Sequence, residues 1–246
     1  MVATYITATW IYWLLEYAVR KAGYPKEPDA QFFPRWKKGR EWTILVSPGY
    51  WLAHCLKNRI DCFPAHRRMY ARRRFIVANN KHNLYVTAVL CIFALLPQQQ
   101  TCSPFYVQLI WALVTVRYIS RTFEIGFAFG NDVIKRPQNR SGLCKFTRIR
   151  LALRSYVELF VLSAPVYYAH CLMPDQFKSV ILSLSVGTLT NIGYAFPQDH
   201  TPLAILVFLQ VVATLSLVLL SLAIYVSRGG NLTRRSSGTA QKRAAP

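Results

Sequence analysis

Hydrophobic positions along this chain of 246 residues fall into runs separated by basic stretches. The longest run, residues 201–227, has 27 consecutive residues without Asp, Glu, Lys, Arg or His. A bilayer core about 30 Å thick is crossed by about 20 apolar residues in a helix, so the pattern predicts a membrane span there. Thr201-Pro202 supplies a cap and a first-turn proline, and Arg228 follows the end of the run. Three shorter runs predict further spans. Residues 84–96 form an apolar run that must borrow residues 79–83 to cross. Residues 105–119 carry Arg117 near the end, where its side chain can snorkel to the interface. Residues 155–173 hold Glu158, one turn after Arg154, and Pro165 near the middle, which membrane helices tolerate when neighbours satisfy the freed carbonyl. The uncharged link between the first two of these three makes them a hairpin.

Two N-terminal stretches fit less simply. Residues 4–19 are rich in aromatics (Tyr5, Trp10, Tyr12, Trp13, Tyr17) and include Glu16. Such a stretch suits either a fifth span or a helix lying in the interface, where Trp and Tyr prefer to sit. It lacks the basic start and small-residue cleavage site of a signal peptide. Residues 42–56 are broken by Pro48-Gly49 and read as an interfacial or cytoplasmic element.

Charge now changes the picture. The chain has 30 Lys+Arg against 10 Asp+Glu, a formal net charge of +20, yet 53% of its residues are hydrophobic. On a soluble domain that charge would point to nucleic acid. Its placement says otherwise. Fifteen basic residues lie from Arg20 to Lys81, nine from Arg117 to Arg154 and five from Arg228 to Arg243, leaving only Lys178. With four spans, 29 of the 30 fall on one side, the arrangement expected when basic loops are retained in the cytoplasm. The N- and C-terminal regions are therefore expected inside, in a cell membrane, with the bilayer as partner and anionic lipid attracted to the basic loops. Arg67-Arg68 and Arg72-Arg73-Arg74 read either as a juxtamembrane basic patch or as a solvated loop.

Catalytic and metal chemistry find little support. The six cysteines show no paired metal spacing, the five histidines are scattered, and no phosphate-binding or nucleophile-elbow motif occurs. No catalytic residue, metal site or soluble cofactor is implied. Glu124 and Asp132 are expected to pair with Arg117, Arg121 or Lys135. Arg140, Lys145, Arg148, Arg150 and Arg154 suggest an amphipathic helix at the inner surface, with Phe146, Ile149 and Leu153 facing lipid.

The most informative stretch precedes the last run. Residues 177–188 are apolar but number only 12, too few to cross, and suit a re-entrant half-helix. Non-helical backbone at membrane depth survives only where protein buries it or it lines a wet cavity. Gly193-Tyr194 follows at once, and Pro197 and Asp199 return the chain to the outer face.

Residues 185–195, Ser-Val-Gly-Thr-Leu-Thr-Asn-Ile-Gly-Tyr-Ala, resemble the pore helix and filter of the potassium channel family, whose pore helix ends in Thr-rich sequence and runs into Thr-Val/Ile-Gly-Tyr-Gly. The order is also similar: outer helix 155–173, pore helix with Thr188 and Thr190, filter Asn191, Ile192, Gly193, Tyr194 and Ala195, inner helix 202–226. The resemblance implies a two-helix pore-loop unit, assembly as a homotetramer and potassium or another monovalent cation as the permeant ion. In such a filter, rings of backbone carbonyls replace the cation's water shell, and Gln210 and Thr214 of the inner helix would line the cavity beneath it. Three positions depart from the family. Asn191 stands for the first Thr, Ala195 for the last Gly and Phe196 for the following Asp.

The expected fold is therefore all-α, a multi-pass membrane protein with a re-entrant pore helix and pore loop. Its divisions are an N-terminal region (1–82), a transmembrane hairpin (83–122), a basic linker (123–154), a pore-like domain (155–227) and a basic tail (228–246). The expected function is cation conduction. The alternative is a non-conducting membrane scaffold or accessory subunit that binds partners or anionic lipid through its basic loops.

Overall fold

A computed structural model describes residues 2–25, 42–95, 104–134, 143–170, 172, 175–190 and 201–218. They form eight helices in the order α1 (Val2–Gly23), α2 (Thr43–Val46), α3 (Pro48–Ile60), α4 (Ala65–Leu95), α5 (Pro104–Ile134), α6 (Lys145–Ala169), α7 (Gln176–Gly187) and α8 (Thr201–Leu215). Among the described residues the chain is all-helical.

Residue pairs fix the directions of the helices. Asn80 meets Ser155, Thr87 meets Glu158 and Cys91 meets the Val161 carbonyl, so α4 and α6 run parallel. Arg117 sits opposite Asn83, while Ala112 and Leu113 pack on Leu90, so α5 runs antiparallel to α4. Ala8 packs with Ala112 and Leu113, Tyr12 meets Ser120 and Arg20 meets Glu124, so α1 runs parallel to α5. One end of the bundle thus holds Val2, Leu95, Pro104 and Ala169, and the other holds Gly23, Ala65 and Lys145. At this second end α3 crosses the bundle, with Leu52, Leu56 and Ile60 buried on Tyr24, Ala71 and Phe75.

Local chemistry explains the breaks. The Ser47 hydroxyl accepts from Tyr50 N–H, and Pro48 follows it at the first helical position, which starts α3. The Pro48-Gly49 pair therefore separates α2 from α3, as the sequence suggested. The Asp175 carboxylate accepts from Lys178 N–H and starts α7. The interruption at Pro165 does not end α6, which continues to Ala169.

The run Arg72-Arg73-Arg74 is not a loop but part of α4, continuous with the apolar residues to Leu95. The basic helix expected before residue 155 is the first part of α6 itself. The expected spans find no support. Among the described residues no helix is long and apolar enough to cross a membrane. Helices α1, α4, α5 and α6 have the length, but each is interrupted by ionised or polar residues, among them Glu16, Asn83, Arg117 and Glu158. Only 15 residues of the longest uncharged run lie in α8.

The main core joins α4 to α8 around Tyr118, Leu162, Val166, Tyr167, Leu182 and Val207. A second cluster joins the inner parts of α5, α6 and α8 through Ile125, Leu159 and Leu217.

Candidate functional site

Helix α7 lies on α6 and runs antiparallel to it. Ser163 and Ser183 share a hydrogen bond of 2.6 Å, and the Tyr156 hydroxyl donates to the Gly187 carbonyl at 3.0 Å. Gly187 is required here. A Cβ at this position would lie 1.6 Å from Phe160 Cε1. Helix α8 runs in the same direction as α7 on its other side. Gln210 Nε2 donates to the Ser183 carbonyl at 3.0 Å, and the Gln210 carbonyl oxygen accepts from the Tyr167 hydroxyl. At a rise of about 1.5 Å per residue, α8 begins roughly 13 Å to one side of that contact and α7 ends roughly 6 Å to the other. The short helix therefore stops about 20 Å deeper in the bundle than the point where α8 starts.

The end of α7 is tied off tightly. Thr188 caps it, Leu189 N–H donates to the Val186 carbonyl, and Thr190 N–H donates to the Ser185 carbonyl at 2.9 Å. That pair of bonds closes a left-handed terminal turn, normally given to glycine. Here it is Leu189 that adopts φ 60°, at a cost of about 1–2 kcal/mol. The hydroxyls of Thr188 and Thr190, 2.9 Å apart, stand exposed at the tip. Backbone strain of this kind tends to persist where a particular geometry is used.

The expected filter, Asn191 to Ala195, lies outside the described residues. Gln210 and Thr214, expected on a wetted wall, are both buried. Gln210 faces α6 and α7 because it satisfies Tyr167 and the Ser183 carbonyl. Thr214 has no hydrogen-bond partner among the described residues. The face of α8 left open is apolar and carries Ile205, Phe208 and Val212. The open face of α7 is likewise apolar, with Phe177, Ile181 and Leu184.

A second polar centre lies deeper and was only partly legible in the sequence. Three arginines and three glutamates from α1, α5 and α6 interlock. Arg121 forks onto Glu158, with Nε to Oε1 at 2.8 Å and Nη2 to Oε2 at 2.6 Å, and also pairs with Glu124. Arg117 donates to Glu16 at 2.8 Å and to the Asn83 carbonyl at 3.0 Å. Arg20 lies 2.9 Å from Glu16 and 3.0 Å from Glu124, and also donates to Asn79. Arg20 and Arg117 are fully buried. A Cβ on Gly49 would come within 2.7 Å of the Glu16 carboxylate, so α3 enters close against the cluster only because residue 49 is glycine.

The charges balance, so the cluster is a lock between helices rather than an ion store. The expected pairing of Glu124 with Arg121 is present. Glu158, one turn after Arg154, pairs with Arg121 and Arg117. Among the described residues no group of acids, histidines and cysteines could hold a metal ion.

The chain matches no family model, no curated protein and no solved structure, so its reading rests on its own residues.

Proposed function

We propose that this protein is a cation channel-like membrane protein in which four copies complete a pore. The observation that supports it most is one of order. A short helix ends at mid-depth in a strained turn bearing two exposed threonines, and the next residues read Asn-Ile-Gly-Tyr-Ala before a second helix restarts about 20 Å back. A descending half-helix followed by a helix in the same direction is the geometry a re-entrant loop requires. The α7 C-terminus carries partial negative charge, which favours a cation near the chain that follows it. The permeant ion fitting this reading is potassium or another monovalent cation, held by backbone carbonyls from Asn191 to Ala195.

One copy supplies only a quarter of such a pore. The open apolar faces of α7 (Phe177, Ile181, Leu184) and α8 (Ile205, Phe208, Val212) are where neighbouring copies would pack. In this reading Gln210 and Thr214 support the pore from behind instead of lining it.

In this reading the chain sits in a membrane. Among the described residues, the bundle end that holds Gly23, Ala65 and Lys145 also carries Arg67, Arg68, Arg72, Arg73, Arg74 and Arg148, which supports reading it as the cytoplasmic end. Because α1 runs parallel to α5, it is the fifth span, with Val2 at the outer face and Arg20-Lys21 inside. Of the two alternatives for residues 4–19, a fifth span or an interfacial helix, this takes the span. The ionised residues that interrupt α1, α5 and α6 neutralise one another inside the bundle, which is how charge is tolerated away from water.

Native mass measurement of the full chain in mild detergent tests the assembly. A tetramer is expected. A stable monomer or dimer would contradict a four-fold pore.

A further inference from the structure

A shallow groove of about 340 Å³ runs along the outside of the bundle where the first half of α6 passes Leu84 of α4. Its floor is apolar, with Ile149, Leu153 and Val157 in line along one face of α6. Two arginines, Arg150 and Arg154, stand beside that floor one helical turn apart. Their situation differs from that of the interior arginines. Arg20, Arg117 and Arg121 are each neutralised by a carboxylate, whereas Arg150 and Arg154 have no ion-pair partner among the described residues. Side chains one turn apart on a helix are neighbours, so both guanidiniums can reach one phosphate group.

Phe146, at the start of the groove, is 79% exposed on a stretch otherwise crowded with basic residues. An exposed phenylalanine beside unpaired arginines is costly in water but well placed at the boundary between acyl chains and headgroups. The polar and apolar parts of the groove thus lie side by side, with Val157 carrying the apolar row beyond Arg154. The arginines lie toward the cytoplasmic end of α6, and the aliphatic row continues toward its centre.

We infer that this α4–α6 groove binds an anionic glycerophospholipid of the cytoplasmic leaflet, with the phosphate on Arg150 and Arg154 and an acyl chain along Leu84, Leu153 and Val157. The charge complementarity selects an anionic headgroup over a zwitterionic one, because two unpaired cations face it and a choline would set a third beside them. The inference rests on the membrane reading but not on conduction. Glu158, one turn after Arg154 on α6, holds Arg121 and Arg117, so a lipid clamped here would bear on the helix that carries the interhelical lock.

The test uses the full chain in mild detergent, titrated with phosphatidylglycerol or with phosphatidylcholine of the same acyl chains, bound lipid being counted by native mass spectrometry. Inorganic phosphate serves as the headgroup-only control. Phosphatidylglycerol should bind more tightly than phosphatidylcholine, and phosphate should not compete at equal concentration. The double variant Arg150→Gln/Arg154→Gln should weaken phosphatidylglycerol binding about thirtyfold, as two basic residues at an anionic surface imply, while phosphatidylcholine binding stays unchanged. Both arginines are unpaired, so the helix content should survive. The Arg150→Lys/Arg154→Lys variant should keep most of the preference. An equal change at the distant pair Arg67→Gln/Arg68→Gln, equal binding of the two lipids, or an unaltered preference in the double variant would overturn the proposal. Flotation with mixed vesicles separates the two levels: a chain that does not float at all defeats the membrane reading together with the groove, whereas one that floats with an indifferent groove defeats the groove alone.

Discussion

Gly187 shows how one missing side chain sets the α6–α7 contact. Replacing a helical glycine by alanine ordinarily stabilises a helix by roughly 0.5–1 kcal/mol. Here the added methyl would drive into Phe160, whose ring packs edge-on against Tyr156 at 4.4 Å. Overpacking of that kind costs about 1–3 kcal/mol, so Gly187→Ala should lower the thermal unfolding midpoint. In a Phe160→Ala background the same change should become neutral or stabilising, and that reversal of sign is the diagnostic result. Glu124 makes a second prediction at this scale: Glu124→Gln leaves Arg20 and Arg121 each short of a carboxylate and should lower the unfolding midpoint followed by circular dichroism. The pairing of Glu124 with Arg121 could be read in the sequence because the two are one turn apart. Arg20 and Glu158 could not be assigned this way, since 104 residues separate Arg20 from Glu124 and 37 separate Arg121 from Glu158.

At the scale of elements, hydrophobic runs located the helices well and their lengths poorly. The run at residues 84–96 marks only the last part of α4, because the basic residues before it are helical too. Helices α1 and α5 lie side by side, yet nothing in either run reveals their common direction. It emerges only from Tyr12 on Ser120 and Arg20 on Glu124. Gln210 was misplaced for a similar reason. A polar residue on an apolar helix marks a special position, but periodicity does not tell a wetted wall from a buried partner such as Tyr167. Thiol labelling tests the placement of α6. Cys144 is exposed at the start of this helix, and hydrogen bonds from Thr147 lower its thiol pKa. Burial pushes the Cys55 thiol in α3 up to about 11. In single-cysteine variants expressed in intact cells, an impermeant maleimide should reach neither. After permeabilisation it should modify Cys144 quickly and Cys55 slowly, because the thiolate is the reactive form. Labelling of Cys144 from outside would invert the proposed topology.

For the whole molecule, the positive charge and the apolar content describe one arrangement. Among the described residues, the basic side chains of α3 and of the first turns of α4 and α6 crowd one end of the bundle, and Arg20, Arg117 and Arg121 within it are neutralised by Glu16, Glu124 and Glu158. The buried lock binds α1, α5 and α6 into one frame, against which α6 presents α7 and α8. A cluster like this contributes more to a unique arrangement than to net stability, since the cost of desolvating the charges offsets much of their attraction. On that frame α7 ends in the strained turn at Leu189. The most direct test is flux through purified protein in liposomes that hold a potassium gradient. Ion flux is expected from the native chain, with loss on Gly193→Val, since the larger side chain cannot take up the left-handed backbone open to glycine. Absence of flux from the native chain, persisting when Ala195→Gly restores the glycine of the potassium channel pattern, would contradict the channel reading.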